Sequence, residues 1–209
     1  MKFLIASVDR LQAGIVSLVR RRLLQPILRK APPWLTPDHL SLLRIGCALP
    51  TAIFVVNGKL GVGAAFFVGA AILDAFDGEL ARMRHLVSEH GAFLDIFADK
   101  VLGGLTLICV FVGQSSEANL LSPVLFWSTL GPDLTLVFLW LGGRTMPIQS
   151  GWKRHLGANV WGKWKFVFQC FGIALLLVGG LELAWFLLWI AVGLAILSIV
   201  GRLIFSGPK

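Results

Sequence analysis

The sequence predicts an all-α integral membrane protein: six transmembrane helices preceded by an N-terminal amphipathic interfacial helix. Three observations carry that expectation. Hydrophobic residues make up 56% of the 209 residues and charged ones 14%, with a mean hydropathy of +0.81, more apolar surface than a soluble domain can place in its core. The apolar residues fall in six continuous runs of about 20, the length that crosses a bilayer as helix. The runs do not alternate polar and apolar residues, as the strands of a membrane barrel must.

Residues 1–37 form the first element. Phe3, Leu4, Ile5, Val8, Leu11, Ile15, Leu18, Val19, Leu23 and Leu24 make a broad apolar stripe, interrupted by Arg10 and by Arg20-Arg21-Arg22. The stripe predicts a juxtamembrane helix lying on the inner leaflet, its arginines against anionic headgroups; a mobile basic tail is the alternative. No apolar run closed by a small-residue cleavage site is present, so no signal peptide is expected. Pro32-Pro33 and Pro37 end this helix and start the first span.

The six-helix domain then covers residues 38–209, with spans expected at 39–57, 60–81, 92–113, 122–143, 161–180 and 183–203. The breaks are Asn57-Gly58-Lys59, the polar turn from Arg82 to His90, Gln114 to Asn119, the basic loop from Arg144 to Asn159, and Gly179-Gly180. Gly61, Gly63, Gly69, Gly103 and Gly104 are expected to permit close helix contact. Cys47, Cys109 and Cys170 are scattered and odd in number, which fits packing rather than a disulfide framework or a metal site.

Charge orients these spans. The formal net charge is +8. With the N-terminus in the cytoplasm, eighteen of the nineteen Lys and Arg residues fall on the cytoplasmic side and only Lys59 on the other, as the positive-inside rule asks. The expectation is a multi-pass protein of the inner (cytoplasmic) membrane with both termini cytoplasmic. No nucleic-acid partner is expected.

The chemistry concentrates between Asp74 and Asp99. Asp74-Ala75-Phe76-Asp77-Gly78-Glu79-Leu80-Ala81-Arg82 is followed, eight residues on, by Gly91-Ala92-Phe93-Leu94-Asp95-Ile96-Phe97-Ala98-Asp99. Carboxylates are costly in a membrane and are retained there for function. Asp74 and Asp77 stand three apart and Asp95 and Asp99 four apart, so each pair shares a helical face, and the short turn brings the pairs together. Four convergent carboxylates are hard oxygen ligands, suited to Mg²⁺ or Mn²⁺. Glu79 is a candidate further ligand, but at 100° per residue it is expected to project away from Asp77.

Asp74, Asp77, Gly78, Ala81, Arg82, Gly91, Asp95 and Asp99 resemble the signature of the CDP-alcohol phosphotransferase family, matching it at all eight positions. Pro37-Asp38-His39-Leu40-Ser41-Leu42-Leu43-Arg44 is similar to the family's segment at the start of the first span, with Asp38 in place of Asn and Ser41 in place of Thr. The resemblance implies a six-helix membrane enzyme, a homodimer, whose donor is CDP-diacylglycerol, whose acceptor is a soluble alcohol and whose leaving group is CMP. It implies that Asp74, Asp77, Asp95 and Asp99 hold two Mg²⁺ or Mn²⁺ ions and that Asp99 is also the general base. Ser41, Gly78, Ala81, Arg82 and Gly91 would meet the nucleotide, the small residues by allowing close backbone approach.

The acceptor is the less sharply marked partner. Gly162-Lys163-Trp164-Lys165-Phe166-Val167-Phe168-Gln169 resembles the Gly-Lys-x-Lys-Thr-x-x-Gln of bacterial phosphatidylglycerophosphate synthases, with Phe166 in place of Thr and Thr145 after Arg144 where an acidic residue is usual. The implied acceptor is sn-glycerol 3-phosphate, its phosphate held by Arg144, Lys163 and Lys165; inositol phosphate, inositol and serine are the alternatives. Asp133, inside the fourth run, is expected to pair with a lysine, to line the cavity or to lie nearer the outer surface. The chain lacks a P-loop, which argues against ATP or GTP hydrolysis. It also lacks the second distant aspartate motif of a prenyltransferase. A cation transporter would line a path across the whole membrane, whereas these acids gather at one face.

Overall fold

The computed structural model of the chain describes residues 20–86, 88–113, 120–145 and 160–205. The stripe before Arg20, the break from Gln114 to Asn119 and residues 146–159 of the basic loop lie outside the described residues.

Helices account for nearly all of the described chain, and no strand occurs among the described residues. Arg20–Leu24 is a π-helical turn that runs into a short helix, Gln25–Leu28. Six long helices follow: α1 (Pro37–Val56), α2 (Leu60–Met83), α3 (Glu89–Gly113), α4 (Pro123–Thr145), α5 (Val160–Leu177) and α6 (Leu181–Phe205). One long helix stands at the position of each expected span. The boundaries move where capping outweighs composition: α1 starts on Pro37, whose fixed φ suits a first helical position, and α4 runs through Arg144 to Thr145.

Four stretches are long and apolar enough to cross a bilayer: Pro37–Val56, Leu60–Met83, Leu94–Gly113 and Leu181–Val200; Trp164–Leu177 is apolar but shorter. Their outward faces are apolar, with Val112 73% exposed and Leu49 63% exposed, the reverse of a soluble helix and the pattern a lipid environment asks for.

The chain divides into two compact units, residues 1–50 with 66–102, and residues 51–65 with 103–209. In the first, Leu28, Leu40 and Leu80 form a buried cluster joined by Leu24, Leu35, Leu73, Phe76 and Met83, so the segment before α1 packs on the C-terminal half of α2. Arg84 fixes the connection: its guanidinium donates to the carbonyls of Ala31 (3.1 Å), Pro32 (2.9 Å), Pro33 (3.1 Å) and Leu35. This proline-rich segment lies outside the long helices, and one arginine donates to four of its carbonyls, of which that of Pro32 also accepts from the Leu35 amide at 3.1 Å.

In the second unit α5 and α6 form a hairpin turned at Gly179, whose φ of 88° favours glycine. A Cβ on Gly172 would lie 2.9 Å from Leu188, so glycine there allows α5 to meet α6. Gly63 and Gly104 are close contacts as expected, at 2.8 Å from Val55 and 3.5 Å from Leu130, but Gly61, Gly69 and Gly103 have open space where a Cβ would stand. Among the described residues none packs against those three; a small residue in a helix does not reveal which way it faces. None of the three cysteines forms a disulfide among the described residues.

Candidate active site

Three helices of the first unit supply the polar centre. On α1, Ser41 and Arg44 stand three residues apart on one face; on α2, Asp74 and Asp77; on α3, Asp95 and Asp99. The Arg44 side chain is fully buried and reaches all four carboxylates. Nη1 donates to Asp74 and to Asp77 Oδ2 (3.2 Å), and Nη2 donates to Asp95 Oδ1 (3.1 Å), the Asp95 carbonyl (2.9 Å) and Asp99 Oδ1 (2.6 Å). Ser41 Oγ donates to Asp77 Oδ2 at 3.0 Å.

Burying a guanidinium requires partners, and the planar fork suits several carboxylate oxygens at once. One guanidinium against four carboxylates still leaves the cluster short of positive charge. Carboxylate oxygens from Asp74, Asp95 and Asp99 lie within 4.8 Å of one another, a hard-donor set that fits a divalent magnesium or manganese ion. Asp77 stands outside that group, its Oδ2 engaged by Ser41 and Arg44.

Beside the carboxylates opens a cavity of about 360 Å³ whose lining includes Ser41, Asp77, Gly78, Ala81, Arg82, Gly91 and Asp95. All five residues expected to meet the nucleotide therefore line one cavity. The turn that closes it is stabilised by Ser88 Oγ, which accepts from the Gly91 amide at 2.9 Å. A side chain on Gly91 would crowd that hydroxyl at 3.1 Å and Asp38 Oδ1 at 3.4 Å. Arg82 lies across Gly78: a Cβ there would sit 3.6 Å from Nη2.

Glu79 points away from the aspartates, as its helical position requires. It is buried, and accepts from Gln25 Nε2 (3.0 Å), from Arg82 Nε (3.1 Å) and from Arg82 Nη2 (3.0 Å), with Arg20 Nε at 3.3 Å.

The residues expected at the acceptor fall in the second unit. Lys165 is buried on α5 and donates to Asp133 Oδ1, while Gln169 Nε2 donates to Asp133 Oδ2 at 2.9 Å. Asp133 thus pairs with a lysine, one of the outcomes the sequence left open. Arg144 and Lys163 are helical, but their side chains lie outside the described residues.

Two arrangements were not read from the sequence. From sequence Arg44 is expected only as one of the cytoplasmic-side charges and as the end of the first-span segment; its position three residues after Ser41 is what points to the site. Gln169 is expected from sequence only as a motif position, although it shares a helical face with Lys165.

The fold and the site define a helical membrane protein with a carboxylate-rich polar centre opening on a cavity. A sequence model of the CDP-alcohol phosphatidyltransferase family matches residues 34–197, and the chain belongs to that family. It is 33% identical over 185 residues to CDP-diacylglycerol--glycerol-3-phosphate 3-phosphatidyltransferase 2 of Arabidopsis thaliana, covering 78% of this chain and 76% of that one. It is 43% identical to the enzyme of that activity from Rickettsia bellii over 76 residues, only 34% of this chain and 41% of the relative. In fold it is similar to the crystal structure of Mycobacterium tuberculosis phosphatidylinositol phosphate synthase with CDP-DAG bound, with a TM-score of 0.61 at 18% identity, covering 88% of this chain and 94% of that one.

Proposed function

We propose that this chain transfers the phosphatidyl group of CDP-diacylglycerol to sn-glycerol 3-phosphate and releases CMP, a step of phospholipid synthesis. The observation that carries the reading is the cavity in which Ser41, Gly78, Ala81, Arg82 and Gly91 line a wall beside Asp77 and Asp95. The activity for which the Arabidopsis and Rickettsia relatives are named supports the donor and the acceptor.

Asp74, Asp77, Asp95 and Asp99 hold two divalent ions, magnesium or manganese. When bound, such ions supply positive charge against diphosphate oxygens and a stable leaving phosphate. Gly78, Ala81 and Gly91 admit the nucleotide close to backbone, Ser41 fixes the orientation of Asp77, and Arg82 meets the donor's phosphates. The acceptor hydroxyl oxygen bonds to the phosphorus that carries diacylglycerol, and the bond from that phosphorus to the bridging oxygen breaks. Asp99 takes the hydroxyl proton as general base, and CMP departs as a phosphate monoester. Arg144, Lys163 and Lys165 hold the acceptor's phosphate, which is what favours a phosphorylated alcohol over inositol or serine.

The six long helices all span the bilayer, in an inner membrane, with both termini and the carboxylate centre on the cytoplasmic side; the charge asymmetry supports that orientation. Residues 1–37 lie along the inner leaflet ahead of a catalytic domain at 38–209, and the working unit is a homodimer. The test is CMP release by purified protein with CDP-diacylglycerol, Mn²⁺ and each acceptor in turn. Release with glycerol 3-phosphate alone supports the assignment. Release that needs inositol phosphate, inositol or serine transfers the same chemistry to that acceptor, and release with none of them refutes the reading.

A further inference from the structure

We infer that Glu79 is a positioning residue for Arg82, and that it joins the segment before α1 to the wall of the donor cavity. The inference rests on the reading that Arg82 meets the donor's phosphates. Arg82 is a long side chain, 48% exposed, and such a chain loses much rotamer freedom when a ligand immobilises it. Glu79 removes that freedom beforehand. Its Oε2 accepts from both Nε (3.1 Å) and Nη2 (3.0 Å) of Arg82, a two-point hold that sets the plane of the guanidinium as well as its place. The held head lies across Gly78 in the cavity lining.

Glu79 is itself fixed. Only 4% of its side chain is exposed, Oε1 accepts from Gln25 at 3.0 Å, and Arg20 stands 3.3 Å from Oε2. Two guanidinium groups thus share one carboxylate, so the Arg20–Glu79–Arg82 group carries a net positive charge that Glu79 does not cancel, and Arg82 keeps attraction for a diphosphate. Gln25 and Arg20 belong to the segment before α1, so the packing of that segment and the aim of Arg82 depend on the same side chain.

Initial rates against CDP-diacylglycerol at saturating acceptor separate this role from plain packing. Arg82→Ala should raise the donor KM on the order of tenfold, the loss of one charge-assisted contact. Glu79→Gln should raise it several-fold with kcat and acceptor KM nearly unchanged, and the double variant should match Arg82→Ala alone because Glu79 acts through Arg82. A normal donor KM in Glu79→Gln, or an equal added effect of Glu79→Gln in the Arg82→Ala background, overturns the inference. A normal donor KM in Arg82→Ala refutes the underlying role of Arg82 instead. Arg82→Lys keeps the charge and loses the two-point hold, so it too should raise the donor KM; a wild-type value overturns the inference even where Glu79→Gln does not fold.

Discussion

Arg44 Nη2 donates to Asp99 Oδ1 at 2.6 Å from a side chain with no exposure. The residue read as the general base is therefore held by the same guanidinium that touches the other three aspartates. Arg44 is a fixed counter-ion of the polar centre, and it joins α1 to α2 and α3.

Removing that counter-ion leaves four carboxylates facing one another. Arg44→Gln should lower stability by about 3–5 kcal/mol, the cost of breaking a buried ion pair. Divalent metal should restore part of it by binding the folded state. Thermal unfolding in detergent with and without Mg²⁺ checks this: the metal-induced rise in Tm should be larger for Arg44→Gln than for wild type. Equal rises would mean that Arg44 and the metal do not neutralise the same charges.

Asp74→Asn, Asp77→Asn and Asp95→Asn should each cut CMP release on the order of a hundredfold or more while the protein stays folded. Asn keeps the shape and relieves carboxylate repulsion, but it weakens metal binding. Asp77→Asn is the sharpest of the three, because Asp77 lies outside the three-carboxylate group. Near-normal turnover of that variant at saturating metal would assign Asp77 to orienting Ser41 and Arg44 alone.

Asp99→Asn should lower kcat by roughly 10²–10⁴-fold, the usual worth of a general base, with a smaller effect on donor KM. A large loss of donor binding with kcat preserved would make Asp99 a ligand only.

Lys165 is held by Asp133, and this changes what a substitution there measures. Lys165→Gln should raise the acceptor KM by the equivalent of about 1.5–3 kcal/mol, and it also strands a buried carboxylate. Pairing it with Asp133→Asn should recover the lost Tm while the acceptor KM stays high. Recovery of both would show that the pair is structural and that acceptor binding lies with other basic residues.

Much of this was legible in the sequence, for identifiable reasons. Apolar runs and punctuation at Pro37, Asn57-Gly58 and Gly179 located the six helices, because a bilayer-length helix leaves little ambiguity of period. The eight signature residues are ones the structure gathers around Arg44 and along one cavity, and helical phase alone separated Glu79 from the aspartates. What the sequence did not reveal are contacts across long separations. The partners of Arg44 lie 30 to 55 residues away, and Asp133 and Lys165 are 32 apart; which cation meets which acid depends on tertiary packing. Gly61, Gly69 and Gly103 meet no neighbour among the described residues for a related reason, since a glycine names no face.

The most direct measurement is transfer of ³²P from labelled sn-glycerol 3-phosphate into lipid by wild type and Asp95→Asn in liposomes containing CDP-diacylglycerol. Label in the lipid fraction, stoichiometric with CMP, abolished by EDTA, restored by Mn²⁺ and absent with Asp95→Asn, is the predicted result. Lipid labelling that persists in EDTA or in the variant, or CMP release with no label in lipid, would contradict metal-dependent phosphatidyl transfer to glycerol 3-phosphate.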